Sequence, residues 1–279
     1  MPYGAITLAQ EGRGGGSCFI VSDEGTPAYG SYAAIGDSFT EGMADLAPDG
    51  TYRGWADLLA GHLARAHPPL RYANLAIRGK LLAQVVAEQV EPAIALRPDL
   101  VSLAAGGNDL IRPTGAADRL AADVEYAVRR LRAAGADVLV VTGFPPPFPL
   151  LRRVHTRVAV YNQHLRAVAR RHGAHVVDLW AMPPLRDPRA WSVDRLHLGT
   201  DGHRRVALRA AEVLGVPVTE DWRLPLPPAV PPDWATLRRE DLRWTREYLL
   251  PWVGRRLRGR SSGDGVPPKR PDLAPLCRP

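Results

Sequence analysis

From residue 31 onward, short apolar runs alternate with longer stretches in which apolar positions recur every three or four residues. The runs 32–35, 72–76, 100–104, 138–142 and 176–179 are apolar almost throughout, as strands covered on both faces are. Between and after them, 52–66, 80–96, 116–134, 151–172 and 200–214 carry helical spacing. In the third, Leu120, Val124, Ala127, Val128 and Leu131 fall on one stripe, which predicts a helix with that stripe buried. Five strands with intervening helices predict a three-layer α/β/α domain with a parallel sheet, because right-handed crossovers place helices on both sheet faces. The pattern alone leaves the strand order open.

The ends of the chain differ in style. Residues 1–30 are rich in Gly and Ser and carry no sustained period, which reads as a flexible lead-in. After residue 221 the run LPLPPAVPPDW reads as a linker, since its prolines block regular structure. Helical spacing returns over 234–257 through Leu237, Leu242, Trp244, Tyr248 and Leu249, and is interrupted at Pro251. The expected organisation is therefore a lead-in over 1–30, a core domain over 31–221, and a linker with a docked C-terminal helix over 222–258. A disordered basic tail follows over 259–279.

Composition narrows the function classes. With 46% apolar and 23% charged residues, the chain has the balance of a soluble globular protein. No window has the roughly 18 consecutive apolar residues of a membrane span. The N-terminus lacks a charged start followed by an apolar run, so a cytoplasmic location is expected. The net charge of +7 sits in the tail: twelve basic against six acidic side chains over 222–279, with near balance before it. Without an aromatic-basic recognition motif, that tail gives no reason to expect nucleic acid. Cys18 and Cys277 share no metal-ligand spacing and are expected to be unpaired thiols. His155, His164, His172 and His175 likewise form no metal motif. Gly14–Gly16 follows no strand and precedes no Lys-Ser/Thr pair, unlike a phosphate loop.

Four segments fall where an α/β sheet keeps its chemistry, beyond the carboxyl ends of strands. Gly36-Asp37-Ser38 follows the first strand, where a serine can present its hydroxyl while its N–H points at an oxyanion; alone, such a serine or aspartate is more often a helix N-cap. After the second strand, Gly79 has no side chain to obstruct a ligand, although a turn also accounts for it. Gly106-Gly107-Asn108-Asp109 follows the third strand; the Asn108 amide can donate to developing negative charge, and Asp109 suits a cap or brace. Finally, Asp194 and His197 stand three apart before the last core helix, a spacing that lets a carboxylate fix an imidazole tautomer. A lone pair of this kind also suits metal binding, but no third ligand stands at zinc-motif spacing. His203, in the first turn of that helix, reads as structural. Arg78 and Arg112 flank two of the segments and are candidates to receive an anionic substrate group.

Joined in this order, GDS, the Gly79 turn, GGND and DRLH resemble the four motif blocks of the SGNH, or GDSL, hydrolases over roughly residues 31–214. The resemblance implies a flavodoxin-like five-stranded sheet of order 2-1-3-4-5 and an open site. It implies Ser38 as nucleophile, His197 as general base and Asp194 as its orienter. Ser38 N–H, Gly79 N–H and the Asn108 side chain would form the oxyanion hole. The family's usual leucine after the serine is Phe39 here, and its frequent proline after the histidine is Leu198.

On this reading the chain is a serine esterase that forms an acyl-serine on a small-molecule ester and needs neither metal nor cofactor. An acyltransferase using the same chemistry and a non-catalytic binding module of the same fold are the alternatives. Residues 143–158 are expected to wall the mouth, with Phe144, Phe148 and Leu150 offering apolar surface. Acyl group, alcohol and oligomeric state stay open.

Overall fold

The computed structural model describes residues 28–112, 115–145, 148, 153–230 and 233–276. Cys18, Cys277, Leu150 and all but the end of the lead-in lie outside them. In chain order the described elements begin with β1 (Ser31–Gly36), α1 (Ser38–Glu41), α2 (Gly54–Ala66) and β2 (Arg71–Asn74). A helix over 82–95 (α3), β3 (Leu100–Ala104), the short α4 (Gly107–Leu110) and α5 (Ala117–Ala133) follow. Then come β4 (Asp137–Val141), α6 (His155–His172), β5 (His175–Val177), α7 (Thr200–Val213), a helix over 234–257 (α8) and β6 (Arg270–Pro275).

The strands order as β5-β4-β3-β1-β2-β6. The first five are parallel and carry the expected 2-1-3-4-5 order. Their alternating side chains separate two cores. Tyr32, Ala34, Tyr72, Leu139 and Val141 pack with α2 and α7 through Trp55, Leu59, Val206 and Ala210. Ala33, Ile35, Ala73, Val101, Val138 and Val140 face α3, α5 and α6 through Leu82, Leu120, Val124, Val128 and Leu165. The stripe read from 116–134 is buried as expected. Strand carboxyl ends thereby gather along one edge, where the four motif segments emerge.

Two findings correct the reading of the C-terminal region. Residues 270–275 are not a disordered tail: β6 pairs antiparallel with β2, matching Arg71 to Pro275 and Tyr72 to Ala274. The physical reason is non-local. Without β6, β2 would present a row of unpaired backbone groups, and a proline-bearing strand is tolerated at such an edge. Nor does Pro251 end the preceding helix. A π-helical turn over Thr245–Leu249 leads into Leu250–Leu257, just as one over Val86–Val90 precedes Glu91–Ala95 with Pro92. Proline cannot donate to the carbonyl four residues back and its ring crowds that carbonyl, so the widened turn before each proline keeps the helix running. None of the side chains of 234–249 is fully buried; α8 meets the domain through Trp244 and Asp241, which bond Asp194 and Arg195. Among the described residues, no helix is long and apolar enough to cross a membrane.

Candidate functional site

The serine segment is shaped by its glycine. Gly36 has φ +153°, and a Cβ there would come 2.2 Å from the Ala104 carbonyl oxygen at the end of β3, so the chain can turn here only without a side chain. The buried Gln89 amide holds this turn twice, accepting from Gly36 N at 2.8 Å and donating to Gly36 O at 2.9 Å. Asp37 then caps α1 by accepting from Phe39 N, and Ser38 opens the helix with its hydroxyl free to point along the sheet edge. Phe39 stacks on Trp55 and on His203. His203 itself is fully buried: its Nδ1 accepts from Trp55 N, and its Nε2–H donates to Met43 O. Burial pushes its pKa down to about 4, so it serves as a neutral packing group, as the sequence suggested.

His197 comes from the loop before α7. Its Nε2 lies 2.9 Å from Ser38 Oγ, and its Nδ1 lies 2.7 Å from Asp194 Oδ2. Asp194 Oδ1 accepts from the Ser192 hydroxyl at 2.6 Å and from the N–H groups of Leu196 and His197 at 3.0 Å. Burial opposes ionisation of this carboxyl, but the hydrogen bond and charge of His197 with the neighbouring donors outweigh it and hold the pKa well below the usual carboxylate range. An ionised Asp194 can only accept, so the imidazole proton sits on Nδ1 and Nε2 is left to take a proton from Ser38.

Asn108 lies beside the residue that precedes Ser38, and Gly79 follows Arg78, which is tied to the end of the serine helix. Gly79 has φ +75°, a conformation that favours glycine. Asn108 Nδ2 donates to Lys80 O at 3.1 Å and to Asp37 Oδ2 at 3.3 Å. Burial pushes Asp37 up to about 6, against the stabilising Phe39 N–H and the charge of His197. Asp109 braces the loop as expected, accepting from Leu82 N at 3.0 Å.

The substrate-contact expectations divide. Phe144 packs against Phe39 and edge-on to Trp191, and Phe148 lies edge-on to Trp191, an aromatic wall continuous with the residue after Ser38. Arg78 is corrected. Its N–H and its guanidinium Nε and Nη2 bond buried Glu41 while the guanidinium lies over the Tyr52 ring, so its charge is already paired within the protein. Arg112 keeps a buried Nε without a hydrogen-bond partner. Gln89 is invisible to sequence reasoning, because a lone glutamine in a helical pattern signals nothing.

Residues 34–205 match the model of the GDSL-like lipase/acylhydrolase family. The chain belongs to that family. This GDSL-family protein is by that membership an enzyme of the carboxylic ester hydrolase type. Its fold is shared with the acetylxylan esterase Axe2 from Geobacillus stearothermophilus (TM-score 0.57, 21% identity, 69% of this chain and 95% of that one). TesA (0.57, 23%, 66% and 97%) and LAE5, an alpha/beta hydrolase enzyme from the metagenome of Lake Arreo, Spain (0.59, 23%, 68% and 98%), share it too. No curated protein matches the sequence. Among the described residues of this GDSL-family chain, no three His, Cys, Asp or Glu side chains gather as a metal ion requires.

Proposed function

We propose that this protein hydrolyses small carboxylic esters through an acyl intermediate on Ser38. The observation that carries the reading is the unbroken run from Ser38 Oγ through His197 to Asp194, at 2.9 and 2.7 Å. His197 Nε2 takes the hydroxyl proton as Ser38 Oγ bonds to the ester carbon, and Asp194 stabilises the imidazolium. The carbonyl π electrons move onto oxygen, where Ser38 N–H, Gly79 N–H and the Asn108 amide receive the charge. Asn108 turns its longer hydrogen bond, the one to Asp37, toward the oxyanion. As the tetrahedral centre collapses, His197 returns the proton to the leaving alcohol. Water then attacks the acyl-serine with His197 as base again, releasing the acid.

The aromatic wall of Phe39, Phe144 and Phe148 suits an apolar acyl or aryl group, and the acetyl esters named for Axe2 supply a first probe. Ser38→Ala should lower kcat for an aryl acetate by about 10⁵-fold or more while leaving the circular dichroism spectrum unchanged. A fluorophosphonate should label the parent at Ser38 alone. An unlabelled parent, or an alanine variant as active as the parent, removes the reading. Transfer of the acyl group to an added alcohol in preference to water would recast it as an acyltransferase.

A further inference from the structure

We propose that the C-terminal extension, residues 233–275, is a positioning element of the active site, holding from outside the two loops that serve Ser38. The proposal rests on the esterase reading above. The extension lies beyond the family-matched residues 34–205, so the contacts it makes are additions to that core.

The first contact falls on the loop that carries the imidazole. Trp244 Nε1 of α8 donates to the Asp194 carbonyl at 2.8 Å. The next residue, Arg195, has φ +57°, a left-handed conformation that costs a side-chain-bearing residue roughly 1–2 kcal/mol. Its guanidinium is held on three sides, by Asp241 Oδ1 at 2.6 Å, by the Trp244 ring at 5.2 Å and by the Phe148 ring at 5.8 Å. That turn is what sets Asp194 beneath His197. Two of the three groups fixing Arg195, and the donor to Asp194, come from α8.

The second contact falls on the Gly79 turn. A Cβ on Gly79 would lie 2.2 Å from Ser261 Oγ, and a Cβ on Gly263 would lie 2.0 Å from the Arg78 carbonyl oxygen. The 261–263 segment thus packs directly on the 78–79 turn, with the Ser261 side chain over Gly79 and the Gly263 backbone against the Arg78 carbonyl, where only glycine fits at 263. Further along, Lys269 Nζ donates to the carbonyls of Glu41, Tyr52 and Arg53 and to Asp57 Oδ2. Glu41 ends the helix that Ser38 begins, and its carboxylate is the partner of Arg78. One stretch of chain therefore touches the serine helix, the Gly79 turn and the Asp194–Arg195 turn.

A displacement of about 1 Å in a reacting group can cost on the order of 100-fold in rate, so loosening these contacts should act on kcat and leave KM nearly unchanged. Trp244→Phe keeps an aromatic ring beside the Arg195 guanidinium and removes the N–H; Gly263→Ala drives the 261–263 segment off the Arg78 carbonyl. Each should lower kcat for an aryl acetate about tenfold, measured well below the melting temperature, with KM within threefold. Fluorophosphonate labelling of Ser38 should slow in proportion. Asp241→Asn, at a half-exposed position that puts folding at no risk, should lower both about threefold and decides the matter if either other variant fails to fold. Variants that match the parent within twofold in kcat and labelling overturn the proposal while the parent's own labelling upholds the esterase reading. A parent that does not label ends both.

Discussion

The sheet domain and the C-terminal extension are held by different physics. Within 31–214, alternating strand residues feed two apolar cores, and helices from both faces seal them. In the extension no residue of 234–249 is buried, and its contacts are mostly directional: an indole N–H, the Arg195–Asp241 ion pair, one ammonium and a borrowed strand edge, with Leu273 adding an apolar contact to the core. Apolar burial fixes elements to a scaffold but tolerates small shifts of their ends. Directional polar contacts contribute little each yet fix the atoms they join. On this division the domain brings the reacting groups to one edge, and the extension sets their final placement.

The sharpest way to break that division lies inside the domain. Asn108→Ala removes a donor carried by α4, inside the domain. If the domain alone supplies this part of the oxyanion site, kcat should fall by about 10²–10³ whether Trp244 is intact or replaced by Phe, and the two losses should multiply. A loss under threefold for Asn108→Ala would return that residue to turn duty, with its hydrogen bonds to Lys80 and Asp37 as its whole role.

Asp37 offers a second probe of the domain, read through stability. Its folded pKa of about 6 lies above the ordinary aspartate value near 3.9, so between those values the folded chain holds more protons than the unfolded one. Its contribution is therefore fully present below about pH 4 and is lost as pH rises through 6. A rise of that size corresponds to about 3 kcal/mol. Asp37→Asn has no proton to release, so the stability of the parent relative to this variant should fall between pH 4 and pH 7 by up to that amount in denaturant titrations. A difference that stays flat across this window would mean that the carboxyl titrates as if in water.

The same division marks what the sequence discloses. The 100–104 strand is legible to its final residue, and the five core helices to within a few residues, because periodicity reports which side chains leave water. The convergence of Ser38, Asp194 and His197 in one hydrogen-bonded run is foreshadowed by the residue types and their order along the chain. The strand at 270–275 is not legible. Its residues show no alternation, and its cause is the free edge of β2, some two hundred positions earlier in the chain. Arg78 misleads for a related reason: its flanking position is local information, but its partner Glu41 is set by how the turn after β2 meets the end of α1. Periodicity carries burial; it carries nothing about which backbone or charge a given group will find.

Lys269 tests the extension at its anchor, with the smallest expected effect. Its ammonium serves three carbonyls and the Asp57 carboxylate, and Lys269→Met keeps the apolar stem while leaving those acceptors without their donor. Hydrogen bonds to a charged group contribute about 1.5–3 kcal/mol, so a loss of about 2 kcal/mol at pH 7 is expected. Burial already pushes Asp57 up to about 6, with Lys269 pulling it down. Once the ammonium is gone, the carboxyl must rise further and take up a proton in the folded state. Because the folded variant then binds more protons than the unfolded chain, acid favours its folding, and the deficit relative to the parent should be smaller at pH 5 than at pH 7. A deficit that is equal at both values would detach Asp57 from the anchor. If the variant shows no deficit at all, Lys269 is no anchor and the extension is held by its other contacts.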